Sequence, residues 1–143
     1  MIPVGLGPDT IAALATYPRI PKTLYSGISF VRSKIGTRDI TDGLSQTMAV
    51  SEKSISSLFY ETGESLGDDQ TVLLGDDADI RRWTQFLPLL DSHVDDIERF
   101  GSSHPSGINT VLCDGSIGFI DYHVDSIVWK RLGNRDDAGA ARP

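Results

Sequence analysis

Residues 101–123 read Gly-Ser-Ser-His-Pro-Ser-Gly-Ile-Asn-Thr-Val-Leu-Cys-Asp-Gly-Ser-Ile-Gly-Phe-Ile-Asp-Tyr-His. The Asp114-Gly115 pair stands between two apolar runs, and Asp-Gly accepts the positive φ angles of a tight hairpin turn. The stretch therefore predicts two antiparallel strands joined by a two-residue loop. In that register Leu112 faces Ile117, Thr110 faces Phe119 and Ile108 faces Asp121. Side chains alternate with period two, so Ile108, Leu112, Ile117 and Phe119 are expected to share a core face. His104 falls at the open end of the hairpin, near Asp121, His123 and Asp125. Asp114 falls at the closed end, roughly 20 Å away at about 3.3 Å per extended residue. The spacing of His104 and Asp114 is thus structural and does not make a catalytic pair.

Working outward, the chain divides into a Pro- and Gly-rich lead over 1–23, a main domain over 24–133 and a polar tail over 134–143, which is expected to fray. The lead holds a short helix at Asp9–Tyr17, capped by Asp9 and stopped by Pro18. Aromatic and β-branched residues over 24–35 predict one or two strands. Thr37–Ser45 reads as a turn into a helix or tight loop. Gln46–Lys53, apolar through Met48-Ala49-Val50, reads as a buried strand. Residues 61–82 read as an acidic, irregular surface loop with a short strand at Thr71–Leu74. Trp83–Leu90 is apolar. A final helix at about Asp125–Leu132 ends at Gly133, with Val124, Ile127, Val128, Arg131 and Leu132 on one face. The fold class is α+β: an antiparallel β-sheet with short helices.

Composition excludes several functions. The 143 residues carry a formal charge of −7, against the clustered Lys and Arg that bind a phosphate backbone. A single cysteine, Cys113, permits neither an internal disulfide nor a multi-cysteine zinc motif; it reads as a small strand residue without a cation to activate it. No apolar run reaches membrane-spanning length, and the first residues do not form a signal peptide. Nucleotide-binding glycine loops and the Gly-x-Ser-x-Gly elbow are absent, so neither a cofactor nor an enzymatic activity is expected. Two candidate cation sites stand beside these exclusions. His104, His123 and Asp121, with Asp125, offer imidazole and carboxylate donors of the kind zinc takes. Asp76, Asp77 and Asp79, with Asp68 and Asp69, offer oxygens suited to calcium, without the EF-hand spacing. For each, ordinary turn hydrogen bonding and a solvated loop are the competing explanations.

Three ordered segments resemble one bacterial family, the "domain of unknown function 1559". Ile40-Thr-Asp-Gly-Leu-Ser-Gln-Thr-Met-Ala-Val-Ser-Glu52 resembles its "I-x-D-G-x-S-N-T-x-x-x-x-E" segment, with Gln46 in place of Asn. Phe100–Asn109 followed by Asp114-Gly-Ser-Ile-Gly-Phe-Ile resembles its His-x9-Asp-Gly element, with Ser106 where Gly is frequent. Leu132-Gly-Asn-Arg-Asp-Asp resembles its closing segment, whose last two residues are changed. The resemblance implies a type IV pilin-like or pseudopilin-like protein whose α+β head faces outside the cytoplasmic membrane, here without the long N-terminal helix of pilins. One classification files the family among solute-binding-like proteins. It further implies self-association, or contact with pilin-like subunits, through an apolar sheet face. Asp42, Gly43, Ser45, Glu52, His104, Asp114 and Gly115 carry the motifs and are read as fold determinants. Asp42-Gly43-x-Ser45 is expected to form an Asx-turn with Gly43 at positive φ, and Glu52 to accept from backbone or from an arginine. A solute- or metal-binding module, for calcium or zinc, is the alternative.

Overall fold

The computed structural model describes residues 10–71 and 77–137. The first helix, α1 (Ile11–Thr16), starts one residue later than expected and is capped by Thr10, its hydroxyl accepting the Ala13 N–H at 3.0 Å. Asp9, most of the strand expected at 71–74, and residues 138–143 lie outside the described residues. The remaining elements are β1 (Met48–Ser51), β2 (Leu89–Leu90), β3 (Gly101–Ser102), β4 (Gly107–Leu112), β5 (Ile117–Asp121) and α2 (Ser126–Leu132). Single 3-10 turns occupy Thr37–Asp39, Leu44–Gln46 and Ser57–Phe59. An antiparallel sheet runs in the order β1-β4-β5, and β2 pairs in parallel with β3. The fold is α+β, as the pattern of the sequence predicts.

The hairpin is present, but its register is one residue away from the expected one. Ile108 pairs with Ile120, Thr110 with Gly118 and Val111 with Ile117. The loop is therefore Cys113-Asp114-Gly115, closed by Leu112 N–H to the Ser116 carbonyl at 2.9 Å. A type I′ turn needs positive φ at both central residues, whereas here Gly115 alone takes it, at 85°. That is the three-residue loop with a glycine bulge. A one-residue slip turns every side chain of β5 over. Ile117 and Phe119, expected in the core, are 79% and 52% exposed, and Ile120 points inward instead.

A second irregularity decides the burial of β1. Met48 pairs with Leu112 while Val50 pairs with Val111, with a bulge between them. The bulge breaks the alternation, so Met48 enters the core and Val50 is 65% exposed. The strand expected over 46–53 is thus real but only partly buried. The expected face of α2 is also rotated. Ile127 and Val128 are exposed, and Trp129 is fully buried. The core is Met48, Ile108 and Trp129, packed by Phe100, Ile120, Tyr122, Val124 and Leu132. Trp129 meets Phe100 edge-on at 5.5 Å, and its indole N–H donates to the Phe86 carbonyl at 2.6 Å. Asp125 caps α2 by accepting the N–H groups of Ile127 and Val128.

No strand forms over 24–35. Phe30 and Val31 are buried, and Tyr25 stacks on Phe30 and on Trp83, but the backbone has no ladder partner. Its carbonyls are taken by one side chain instead. The buried Arg135 guanidinium donates to the carbonyls of Lys22, Tyr25 and Gly27, and its backbone N–H donates to Ser26 at 3.0 Å. Thr41 and Asp42 donate in turn to the Arg135 carbonyl. Residues 134–137 are therefore tied into the domain rather than frayed. The acidic stretch is not a simple surface loop either. It wraps Lys53, whose ammonium donates to the Gly67 and Asp79 carbonyls and to Asp68, and it buries Arg82, Asp79 and Ser65.

Candidate functional site

β1 ends where Glu52 turns from the sheet toward β3 and the start of β4. The Glu52 N–H donates to the Asn109 carbonyl at 3.3 Å, and its own carbonyl accepts from Gly101 at 3.1 Å. The side chain then reaches back over the outer face of the sheet. Oε2 accepts the Asn109 backbone N–H at 2.6 Å, and Oε1 lies 3.2 Å from both the Asn109 side-chain amide and His104 Nε2. Burial alone would raise the Glu52 carboxyl. The Asn109 backbone and side-chain donors, with the His104 imidazole, outweigh burial and hold it below the ordinary carboxylate range.

His104 is held by its backbone, in the bend between β3 and β4. Its N–H donates to Ser102 Oγ at 3.0 Å, and its carbonyl accepts the Tyr122 hydroxyl at 3.1 Å. Tyr122 also donates to the Ser102 carbonyl, and Ser102 Oγ donates to that of Gly107. The imidazole therefore has a carboxylate neighbour that the sequence reading did not name. Glu52 stands 52 positions away, and only the β1–β4 pairing brings it there. Of the partners expected for Glu52, backbone or an arginine, the one present is the Asn109 backbone N–H.

The other motif residues have separate partners. Asp114 accepts the N–H and hydroxyl of Ser116 at 2.9 and 2.6 Å, which lowers its carboxyl. Gly43 takes φ 103°, as expected, and leads into the 3-10 turn that holds Ser45. Asp42, expected to close an Asx-turn, instead accepts the Asp137 N–H at 3.1 Å. A hydrogen bond to Asp42, then burial and the Asp42 charge, raise the Asp137 carboxyl to about 6. Cys113 is partly buried, and that burial, with Asp114 beside it, pushes its thiol up, away from reactivity.

The expected cation donors do not converge. His123 Nδ1 lies 2.9 Å from Asp121 Oδ1 on an exposed corner, and His104 belongs to the Glu52 cluster instead. In the observed register Asp121 pairs with Gly107. Asp77 starts the turn into 78–81, and Asp79 Oδ1 accepts the Gln70 N–H at 3.0 Å. Asp76 lies outside the described residues. Among the described residues no group of three or more His, Cys, Asp or Glu gathers in a metal-holding arrangement.

Two surfaces complete the picture. On the outer face of the sheet, cross-strand pairing lines up Val50, Val111 and Ile117, with Phe119 beside Asn109 in the next row. Along β1, whose residues Met48–Ser51 line it, a groove of about 640 Å³ runs between 24–29, 80–85 and the end of α2, so that Val50 borders both surfaces. Tyr25 and Trp83 stack within it at 6.1 Å, and the Arg81 guanidinium lies over Trp83 at 5.6 Å. Its charged lining residues, Arg81, Arg82 and Lys130, are all cations. Among the described residues no helix is long and apolar enough to cross a membrane.

Comparison with known proteins adds one finding. A family model, SBP_bac_10, described as "Protein of unknown function (DUF1559)", matches residues 14–126. Neither a curated protein nor a solved structure matches the chain.

Proposed function

Because the chain belongs to the DUF1559 family, matched over residues 14–126, we propose that it is a non-enzymatic interaction domain: the extracytoplasmic head of a type IV pilin-like or pseudopilin-like protein, which contacts further copies of itself through the outer face of its sheet. The observation that carries this reading is the row of exposed Val50 and Ile117 on either side of the half-buried Val111, with exposed Phe119 beside it. A half-covered antiparallel sheet ordinarily turns polar residues outward. Here the register and the β1 bulge put large apolar side chains there. The motif residues support the reading from the other direction: Glu52, Asp114 and the Arg135 of the closing segment bond backbone groups.

The size of the patch sets the strength of the contact. Fully burying such a side chain is worth about 1.5–3 kcal/mol, so the exposed parts of Val50, Ile117 and Phe119 together contribute on the order of 4 kcal/mol per copy. Association itself costs about 4–15 kcal/mol, so an isolated pair of heads associates weakly and gains strength only in an array. Sedimentation equilibrium up to about 1 mM, roughly −4 kcal/mol in affinity, tests this. The chain is expected to associate reversibly, and Ile117→Asp with Phe119→Asp to abolish association with an unchanged circular dichroism spectrum. A strictly monomeric chain, or equal association of the variant, contradicts the reading.

The groove favours a second reading, a solute-binding module. A stacked aromatic pair with cations alone as charged lining suits a small aromatic anion. Quenching of Trp83 fluorescence by such compounds, lost in Trp83→Leu, distinguishes this reading.

A further inference from the structure

Glu52, His104 and Asn109 place three side-chain atoms at the corners of a triangle. Glu52 Oε1, His104 Nε2 and Asn109 Nδ2 are each 3.2 Å from the other two. Hydrogen bonding cannot satisfy all three sides. Nε2 carries either one hydrogen or one lone pair, so it bonds Glu52 or the amide, not both. With Nε2 protonated, the amide N–H opposes a second donor. With the amide turned by half a rotation, Oδ1 opposes the carboxylate oxygen. A cation at the centre removes the conflict, because the carboxylate, the neutral imidazole and Oδ1 then all present lone pairs to it.

The dimensions fit. Donors at about 2.0–2.2 Å from a tetrahedral centre lie roughly 3.3–3.6 Å apart, and from an octahedral centre roughly 2.8–3.1 Å apart. With the amide turned so that Oδ1 takes the place of Nδ2, the 3.2 Å sides fall between the two. The cluster is also oriented before any ion arrives: Glu52 Oε2 is fixed by the Asn109 backbone N–H, and the His104 backbone is held at both ends by Ser102 and Tyr122. Both His104 and Glu52 side chains are partly exposed, so further positions on the ion are open to water. We propose that Glu52, His104 and Asn109 form a binding site for one divalent transition-metal ion of the zinc class. The imidazole nitrogen favours such an ion over calcium or magnesium, which take oxygen donors. The site shares only His104 with the cation sites suggested by sequence, and it stands independently of the assembly reading.

The test is competition for Zn²⁺ between the full chain and a chromophoric zinc indicator, with Co²⁺ absorption as a second probe. One equivalent is expected to bind at pH 7.5. His104→Ala is expected to weaken binding at least tenfold and to abolish the Co²⁺ bands, while His123→Ala leaves both unchanged. Asn109→Asp is expected to retain the site, since it keeps the inward oxygen. Near-ultraviolet circular dichroism checks that each variant is folded. Absence of Zn²⁺ binding at 1 mM, undiminished binding by His104→Ala, or loss of binding in His123→Ala overturns the proposal.

Discussion

Arg135→Met removes the charged end of a buried side chain while keeping most of its aliphatic stem. The guanidinium donates to the carbonyls of Lys22, Tyr25 and Gly27, in a segment without strand pairing. Each such charge-assisted bond is worth about 1.5–3 kcal/mol, and an orphaned buried carbonyl costs about 1–3 kcal/mol. The three losses do not add in full, because the freed segment can move out to water. The expected destabilisation is about 3–5 kcal/mol, a large share of the roughly 5–15 kcal/mol that holds a domain folded. Urea denaturation followed by far-ultraviolet circular dichroism measures it. Tryptophan emission supplies a local readout, since the same segment carries Tyr25, stacked on Trp83 at 6.1 Å. That emission is expected to change in the native variant even before unfolding. A loss below about 1 kcal/mol with unaltered emission refutes the view that this arginine takes the place of a β-ladder.

Two further predictions follow from local geometry and charge. The Asp137 carboxyl, raised to about 6 from an ordinary 3.8, binds more protons in the folded than in the unfolded chain between those values. Stability contributed by this group is therefore complete below about pH 4 and lost as pH rises through about 6; Asp137→Asn is expected to flatten that fall in urea titrations, by about 1 kcal/mol after discounting for solvent screening. In β4, a Cβ on Gly107 would stand 2.1 Å from the Ile120 carbonyl oxygen, whereas one on Gly118 meets nothing within 4 Å. Gly107→Ala is expected to cost several kcal/mol in a thermal melt and Gly118→Ala to stay within about 0.5 kcal/mol.

The hairpin, the positive φ of Gly43 and Gly115, and the end of α2 were legible in the sequence because each depends on residues close together in the chain. The register was not, because Asp-Gly suits both a two-residue loop and a three-residue loop with a glycine bulge. That ambiguity decides which face Ile117 and Phe119 take. The strand expected over 24–35 failed for a different reason. Aromatic and β-branched composition reports suitability for a sheet, but a ladder needs a partner strand, and Arg135 takes the Tyr25 and Gly27 carbonyls instead. The Glu52–His104 contact left no local trace. It depends on pairing between β1 and β4, and no spacing rule within either motif encodes that pairing.

Methyl and aromatic NMR shifts, followed over a dilution series, test most directly whether the outer face of the sheet is the contact surface. Concentration-dependent shifts are expected at Val50, Val111, Ile117 and Phe119, with the buried Ile108 unmoved. Shifts confined to Tyr25 and Trp83 in the groove, or none at the highest concentration, contradict the account.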